Sequence, residues 1–395
     1  MKLTRRQFLG SSLLTGFSVS SAARRAEPTA FRPSVPNVTL FRTPNGGIQP
    51  QVAVDHNHVI HLIYFKGNAA AGDVFYVRKR PSESRFSPPL RVNSHPGSAI
   101  AIGGVREAQI AVGKDGRPHV AWVGSAKAQP RGPDGAIPML YTRLSNAGDA
   151  FELQRNVMQY ATGLDGGGSV AADRAGNVYV VWHANPKGDG EQHRRVYLAR
   201  SRDNGRSFAR EVPCSPSGTG ACGCCGLRAF ADSSGNLYVL YRTATALIHR
   251  DMELLISKDG GQNVTAKRLA KWTIDACPMT TDSISQGGAE VVTAWETAGQ
   301  VYYDRIDPTT LAVTNPVAPP GNSADRKHPS VASNGHHTLL AWTEATAWAK
   351  GGCIAWELFD SAGRPIGELQ RAPDLPVWGL VAAFVQPDGS FTVIY

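Results

Sequence analysis

No stretch of this chain is apolar for long enough to cross a bilayer. The weakly apolar run from Leu9 to Val19 is interrupted by Ser and Gly, and it falls short of the ~20 residues a spanning helix needs. Stable membrane insertion is therefore not expected. Long helical periodicity is also missing, while 41 glycines and 26 prolines punctuate the sequence, which points to an all-β chain. The formal net charge is +9, but the lysines and arginines are scattered rather than blocked. That pattern makes a solvated surface with a modest preference for anionic partners, and it excludes a nucleic-acid stripe. Six cysteines are too few to scaffold a domain of this size, and they lack the paired C-x-x-C spacing of a zinc ribbon.

What is present begins with an address. Thr4-Arg5-Arg6-Gln7-Phe8-Leu9-Gly10 opens the apolar run, and Ser21, Ala22 and Ala23 follow it. Adjacent arginines, a modest apolar core and small residues resemble a twin-arginine export signal, with cleavage expected after Ala23. Residues 1–23 are then the signal and 24–36 a linker. The mature protein is expected in the periplasm or outside the cell, and removal of Lys2, Arg5 and Arg6 leaves it a net charge of +6. Export of this kind carries folded proteins, so a cofactor can be loaded beforehand.

One pattern recurs along the remainder: a short apolar strand, a turn rich in Asp, Gly and Asn, and a second strand ending in an aromatic. The closing aromatics Tyr64, Trp122, Trp182, Tyr241, Trp295, Trp342 and Tyr395 stand 58, 60, 59, 54, 47 and 53 residues apart. Two further strand-like segments fill each interval, as in Val74–Val77 with Leu90–Val92. Four strands in ~55 residues make one propeller blade, which buries both faces only when neighbours stack on it. Seven starts predict a β-propeller of seven four-stranded blades, or six if the worn fifth unit or the last one is misread. Val38–Phe41 is expected to complete the last blade, making 37–395 a single propeller domain closed by its N-terminal strand. A row of separate β-sandwiches is the alternative architecture.

Ser201-Arg-Asp203-Asn-Gly205-Arg-Ser-Phe208 matches the pattern Ser-x-Asp-x-Gly-x-x-aromatic, and Ser257-Lys-Asp259-Gly-Gly261 repeats it without the aromatic. Ser145 to Phe151 and Ser82 to Phe86 are degenerate echoes. These segments resemble the Asp boxes (BNR repeats) of the sialidase-like family. They are fold markers in the turn between third and fourth strands, on the face opposite the usual site. The resemblance implies an exo-glycosidase with three arginines on the substrate carboxylate, an acid/base Asp, and a Tyr nucleophile paired with Glu. Arg106, Arg228 and Arg242 are the candidate clamp, and Glu296 with Tyr302 or Tyr303 the candidate nucleophile pair. Phe41-Arg42-Thr43-Pro44 is a loose counterpart of the family's Phe-Arg-Ile-Pro signature, and no Asp stands in an obvious acid/base context.

Two sets of loops should meet at the mouth of the ring: those leading into the innermost strands and those following the second strands. They bring Arg106, Arg228, Arg242, His183, His328, Glu344 and Trp378 to one funnel suited to a carbohydrate or another anionic small molecule. Trp348 and Trp378 are the candidates for ligand stacking. The same loops carry Cys222-Gly-Cys224-Cys225 and Cys277, with Cys214 upstream. Disulfides from this run to Cys277, and from Cys214 to Cys222, are one reading. A copper or zinc site on Cys224, Cys225, Cys277 and His328 is a second, and a redox pair a third. Cys353 reads as a buried free thiol. Function stays open among a glycan-hydrolysing enzyme with no cofactor, a non-catalytic propeller that holds a polysaccharide or a periplasmic protein, and a metal or redox protein.

Overall fold

A computed structural model describes residues 36–321 and 325–395; the expected export signal and nearly all of the expected linker lie outside the described residues. Alternating apolar and polar positions, interrupted every few residues by Gly-Asn or Asp-Gly turns, fold into seven sheets. Blade 1 comprises Ile48–Val54, Ile60–Asn68, Ala71–Lys79 and Leu90–Arg91. Blade 2 follows with Gln109–Val112, Pro118–Val123, Met139–Arg143 and Arg155–Asn156. Blade 3 is Gly168–Ala172, Val178–Ala184, Arg195–Ser201 and Val212–Pro213. Blade 4 is Arg228–Ala231, Leu237–Arg242, Met252–Ser257 and Thr265–Ala270. Blade 5 has Ser283–Gly287, Glu290–Thr297 and Gln300–Ile306, with only bridges at Val313 and Val317 on its outer edge. Blade 6 is Arg326–Ser333, Thr338–Glu344, Gly352–Phe359 and Gln370–Leu375.

The ring closes on blade 7. Its inner strands Ala382–Val385 and Phe391–Ile394 are antiparallel, and Val38–Phe41 joins them parallel to Phe391–Ile394, with Val38 opposite Phe391. Val38–Phe41 thus pairs into this blade, which has three strands. The innermost strands contact one another in the order one to seven and back to one. Seven buried apolar clusters, one between each neighbouring pair of blades, hold this ring together. Trp122, Trp182, Trp295 and Trp342 close second strands and are fully buried in these clusters, each contributing about 4–6 kcal/mol of transfer free energy. A row of sandwiches is thereby excluded.

The turns at Ser201 and Ser257 share one hydrogen-bond pattern. Ser201 Oγ lies 2.7 Å from Asp203 Oδ1 and accepts the Gly205 amide at 2.9 Å; Ser257 Oγ repeats this with Asp259 Oδ1 and the Gly261 amide, both at 2.8 Å. Gly205 has φ +76°, and a Cβ there would strike the Tyr141 hydroxyl, so the turn requires glycine. Both turns follow third strands, on the face away from the loops that lead into the innermost strands.

Candidate functional site

The inner strands taper to a polar plug on the axis. Arg228, the first residue of blade 4, donates from Nη1 to Gln51 Oε1 at 2.9 Å and to Gln109 Oε1, and from Nε to the Asp282 carbonyl at 3.3 Å. Gln109 donates in turn to Glu107 Oε1 at 2.8 Å. Burial pushes the Glu107 carboxyl up to about 6 and the Asp282 carboxyl up to about 8, against the pull of the nearby guanidiniums. The plug separates the mouth from a channel of about 790 Å³ lined by the far halves of the seven inner strands.

Around the plug, the candidate clamp does not form. Arg242 is fully buried; it donates to the Arg250 carbonyl at 2.8 Å and to the Glu296 carbonyl, and its guanidinium lies 5.0 Å from the Trp272 ring centroid. Arg106 is spent on Asp165, through Nε to the carbonyl at 2.6 Å and Nη2 to the carboxylate at 2.9 Å. Three guanidiniums with three separate sets of partners leave no shared seat for a substrate carboxylate. The nucleophile pair fails as well. Glu296 accepts the Gly299 amide at 2.6 Å, while Tyr303 is buried against Phe359 between blades 5 and 6 and Tyr302 stacks on Trp295. The strand pairing explains this: Tyr302 and Tyr303 stand opposite Trp295 and Ala294, inside the sheet packing rather than at the mouth. Glu344 is likewise occupied, by Trp342 Nε1 at 2.9 Å and Arg371 Nε at 2.7 Å.

The thiols, in contrast, do come together. Cys222 Sγ lies 3.4 Å from Cys224 Sγ and 3.0 Å from Cys225 Sγ, and the three sulfurs all fall within 4.8 Å of one another. Cys277 sits at the surface within reach of Cys224. All six cysteines are free, so the structure contains neither the bridge to Cys277 nor the one from Cys214. Cys214 packs in the apolar cluster between blades 3 and 4, where burial pushes its thiol up to about 12. His183 donates from Nε2 to the Cys225 carbonyl at 3.2 Å, and burial brings its imidazole down to about 4, so it is a neutral prop of the loop. His328 leaves the thiol set: its Nδ1 faces Thr281 Oγ1 at 3.3 Å, and burial brings it down to about 3.

His328 instead lines a cleft of about 80 Å³ together with Met279, Lys327, Trp348, Lys350 and Trp378. Trp348, 63% exposed, meets Trp378 edge to face with ring centroids 4.9 Å apart. A Cβ on Gly103, at the cleft's rim, would fall 3.6 Å from Arg106 Nη1 and 3.8 Å from Trp348 Cζ3, so both side chains flank this glycine.

No protein-family model matches this sequence, and no curated protein matches it. Solved structures do. It is similar to a protein of unknown function from Dyadobacter fermentans, at 14% identity over 79% of this chain and 94% of that one, with a TM-score of 0.53. It is also similar to the NanB sialidase from Streptococcus pneumoniae, at 10% identity over 86% of this chain and 81% of that one, with a TM-score of 0.51. The fold is a sialidase-like propeller. At such identities the likeness carries architecture and leaves the chemistry to the site itself.

Sequence reasoning missed the residues that hold the propeller's thiol loop in place. Glu191 accepts the Gly223 amide at 2.5 Å and Arg250 Nη1 at 2.8 Å, and Arg194 stands 3.5 Å from it. Glu191 and Arg194 lie in the loop after the second strand of blade 3, so the rule that assembled the mouth would have included them had that loop been read to its end.

Proposed function

We propose that this protein is a non-hydrolytic binding propeller that captures an acidic glycan on its functional face. The observation that carries the reading is the exposed Trp348 set against Trp378 over a cleft edged by Lys327 and Lys350. An indole face takes the apolar face of a sugar ring, and ammonium groups beside it favour a carboxylate or sulfate on that ring. Arg106, although bonded to Asp165, adds its positive charge to this field. Hydrolysis of the sialidase type has no support here, since neither tyrosine candidate reaches Glu296 and the candidate clamp is bonded within the protein.

Calorimetric titration of the mature protein with acidic and neutral oligosaccharides tests this, alongside hydrolysis of an aryl-sialoside. Binding is expected for acidic ligands only, falling at least about tenfold in Trp348→Ala, with no aryl group released. Equal affinity for neutral sugars, or turnover of the sialoside, overturns the proposal. Export is part of the same reading: a reporter carrying residues 1–36 should leave the cytoplasm, and Arg5→Lys with Arg6→Lys should retain it.

A further inference from the structure

A metal–thiolate centre makes stringent geometric demands. A metal–sulfur bond of about 2.3 Å sets sulfurs about 3.8 Å apart around a tetrahedral ion and about 4.0 Å apart around a trigonal one. The three sulfurs of the Cys222–Cys225 loop, at 3.0 and 3.4 Å and all within 4.8 Å, need shift by less than about 1 Å to meet either requirement. The loop is built to hold them there. The Cys222 amide donates to the Arg242 carbonyl at 2.9 Å, and the Cys225 carbonyl accepts from the Gly167 amide and from His183, both at 3.2 Å. The Gly226 amide donates to the Thr280 carbonyl at 2.9 Å. Blades 3, 4 and 5 thus clamp one short loop from three sides. Gly166 is needed, because a Cβ there would collide with the Gly223 carbonyl, and a Cβ on Gly223 would displace the Arg194 head.

We propose that Cys222, Cys224 and Cys225 form a thiolate site for a soft d¹⁰ cation, Cu(I) or Zn(II), with Cys277 at hand as the fourth donor. No carboxylate belongs to the cluster, which favours thiophilic ions over Mg(II) or Ca(II). Each thiol that binds releases its proton, and half-buried Cys224 with exposed Cys277 gives both metal and protons a route to solvent. Three thiolates on Cu(I), or four on Zn(II), leave two negative charges in either case. Two guanidiniums, Arg242 and Arg250, lie close enough to act electrostatically on Cys225 and Cys222. His183, Glu191 and Arg194 touch the loop and not the sulfurs, as the residues that orient ligands do. Cys214 and Cys353 show the contrast: each is a lone thiol in a strand context with no second sulfur beside it.

The test uses the full mature protein, reduced with a phosphine and freed of metal, then loaded separately with Cu(I) and Zn(II) under argon against a chromophoric chelator. One ion per chain is expected. The chelator concentration that strips half of it should fall at least about tenfold in Cys224→Ser, while Cys214→Ser and Cys353→Ser retain the wild-type value. An unchanged urea midpoint shows that Cys224→Ser is folded. Cys277→Ser decides the ion: loss of Zn(II) with Cu(I) retained assigns the trio to copper, and loss of both assigns four thiolates. Metal retention equal in wild type and Cys224→Ser overturns the site. So does mass spectrometry showing a Cys222–Cys225 disulfide, with no metal, in protein isolated from the exported fraction.

Discussion

Replacing Asp282 by Asn tests how the axis balances its charge. Three carboxyls, Glu107, Asp282 and Glu296, act on one another and on two guanidiniums, Arg228 and Arg242, in a water-poor interior. Lys327 also acts on Glu296, and one carboxyl of the three keeps its proton. Asp282 is the group that keeps it, because burial outweighs both arginines and lifts it to about 8, whereas Glu107 rises only to about 6. Its Oδ2 has no hydrogen-bond partner among the described residues. An unfolded aspartate titrates near ~3.9, so between there and the folded value the native state binds the extra proton. The sign follows: the contribution is fully present below the unfolded pKa and is lost as pH rises toward about 8, at up to ~1.4 kcal/mol per pH unit. Asparagine mimics the neutral acid and cannot ionise. Urea unfolding of wild type and Asp282→Asn, at matched m-values, should therefore show the variant gaining about 2–3 kcal/mol on wild type between roughly pH 5.5 and 7.5. The buried imidazoles His119, His183 and His328 titrate in both proteins and cancel in the difference. A stability difference that stays constant with pH, or that grows toward acid, refutes the reasoning.

Two other substitutions separate fold from site. Asp203→Ala removes carboxylate bonds to the Ser207 amide at 2.9 Å, Ser207 Oγ at 2.6 Å and Ser201 Oγ at 2.7 Å, in a turn remote from the functional face. A loss of about 1 kcal/mol is expected, discounted for exposure, with glycan affinity unchanged; affinity lost as in Trp348→Ala would place this turn at the binding site. Although burial opposes ionisation, hydrogen bonds from Ser207 and Ser201 hold the Asp203 carboxyl well below its ordinary value, so this stability is lost as pH falls below about 4. Tyr303→Phe deletes a buried hydroxyl that has no hydrogen-bond partner among the described residues, and should change the urea midpoint by the equivalent of less than about 1 kcal/mol, in either direction. A loss of 2 kcal/mol or more, on the order of a broken buried hydrogen bond, would show that the hydroxyl is engaged after all.

The ring was legible because its signal is periodic and each copy restates it. Closing aromatics at near-constant spacing, with turns of Asp, Gly and Asn between, leave few architectures that bury Trp122, Trp182, Trp295 and Trp342 together. The outer edge of blade 5 was less legible, since Val313 and Val317 make single bridges rather than a strand. Convergence of the thiols followed from loop placement alone, because adjacent blades bring their leading turns side by side. What no pattern revealed was where each guanidinium points. Arg228 and Arg242 occupy positions that suit a clamp, yet their partners include amides and carbonyls dozens of residues away. Pairing of that kind depends on side-chain reach across the axis, which period and spacing do not encode.

One segment links every feature of the mouth, the axial plug and the two proposed rim sites alike. The turn from Cys277 to Asp282 leads into blade 5. Its first residue lies beside the thiol trio. The Pro278 carbonyl accepts Lys327 Nζ at 2.9 Å, and Met279, with φ +49°, lines the cleft under Trp348. The Thr280 carbonyl receives the Gly226 amide of the thiol loop, Thr281 meets His328, and Asp282 ends in the plug. A ring of inward-running strands crowds polar side chains at its axis, where each must be hydrated, bound to ligand or paired. Here Arg228 pairs with both Gln51 and Gln109, so the axis is filled by the protein's own polar groups and the two proposed sites lie outward of it. Of the three candidate clamp arginines, Arg228 instead bonds the Asp282 carbonyl at the end of the turn that runs beside both the indole cleft and the cysteines.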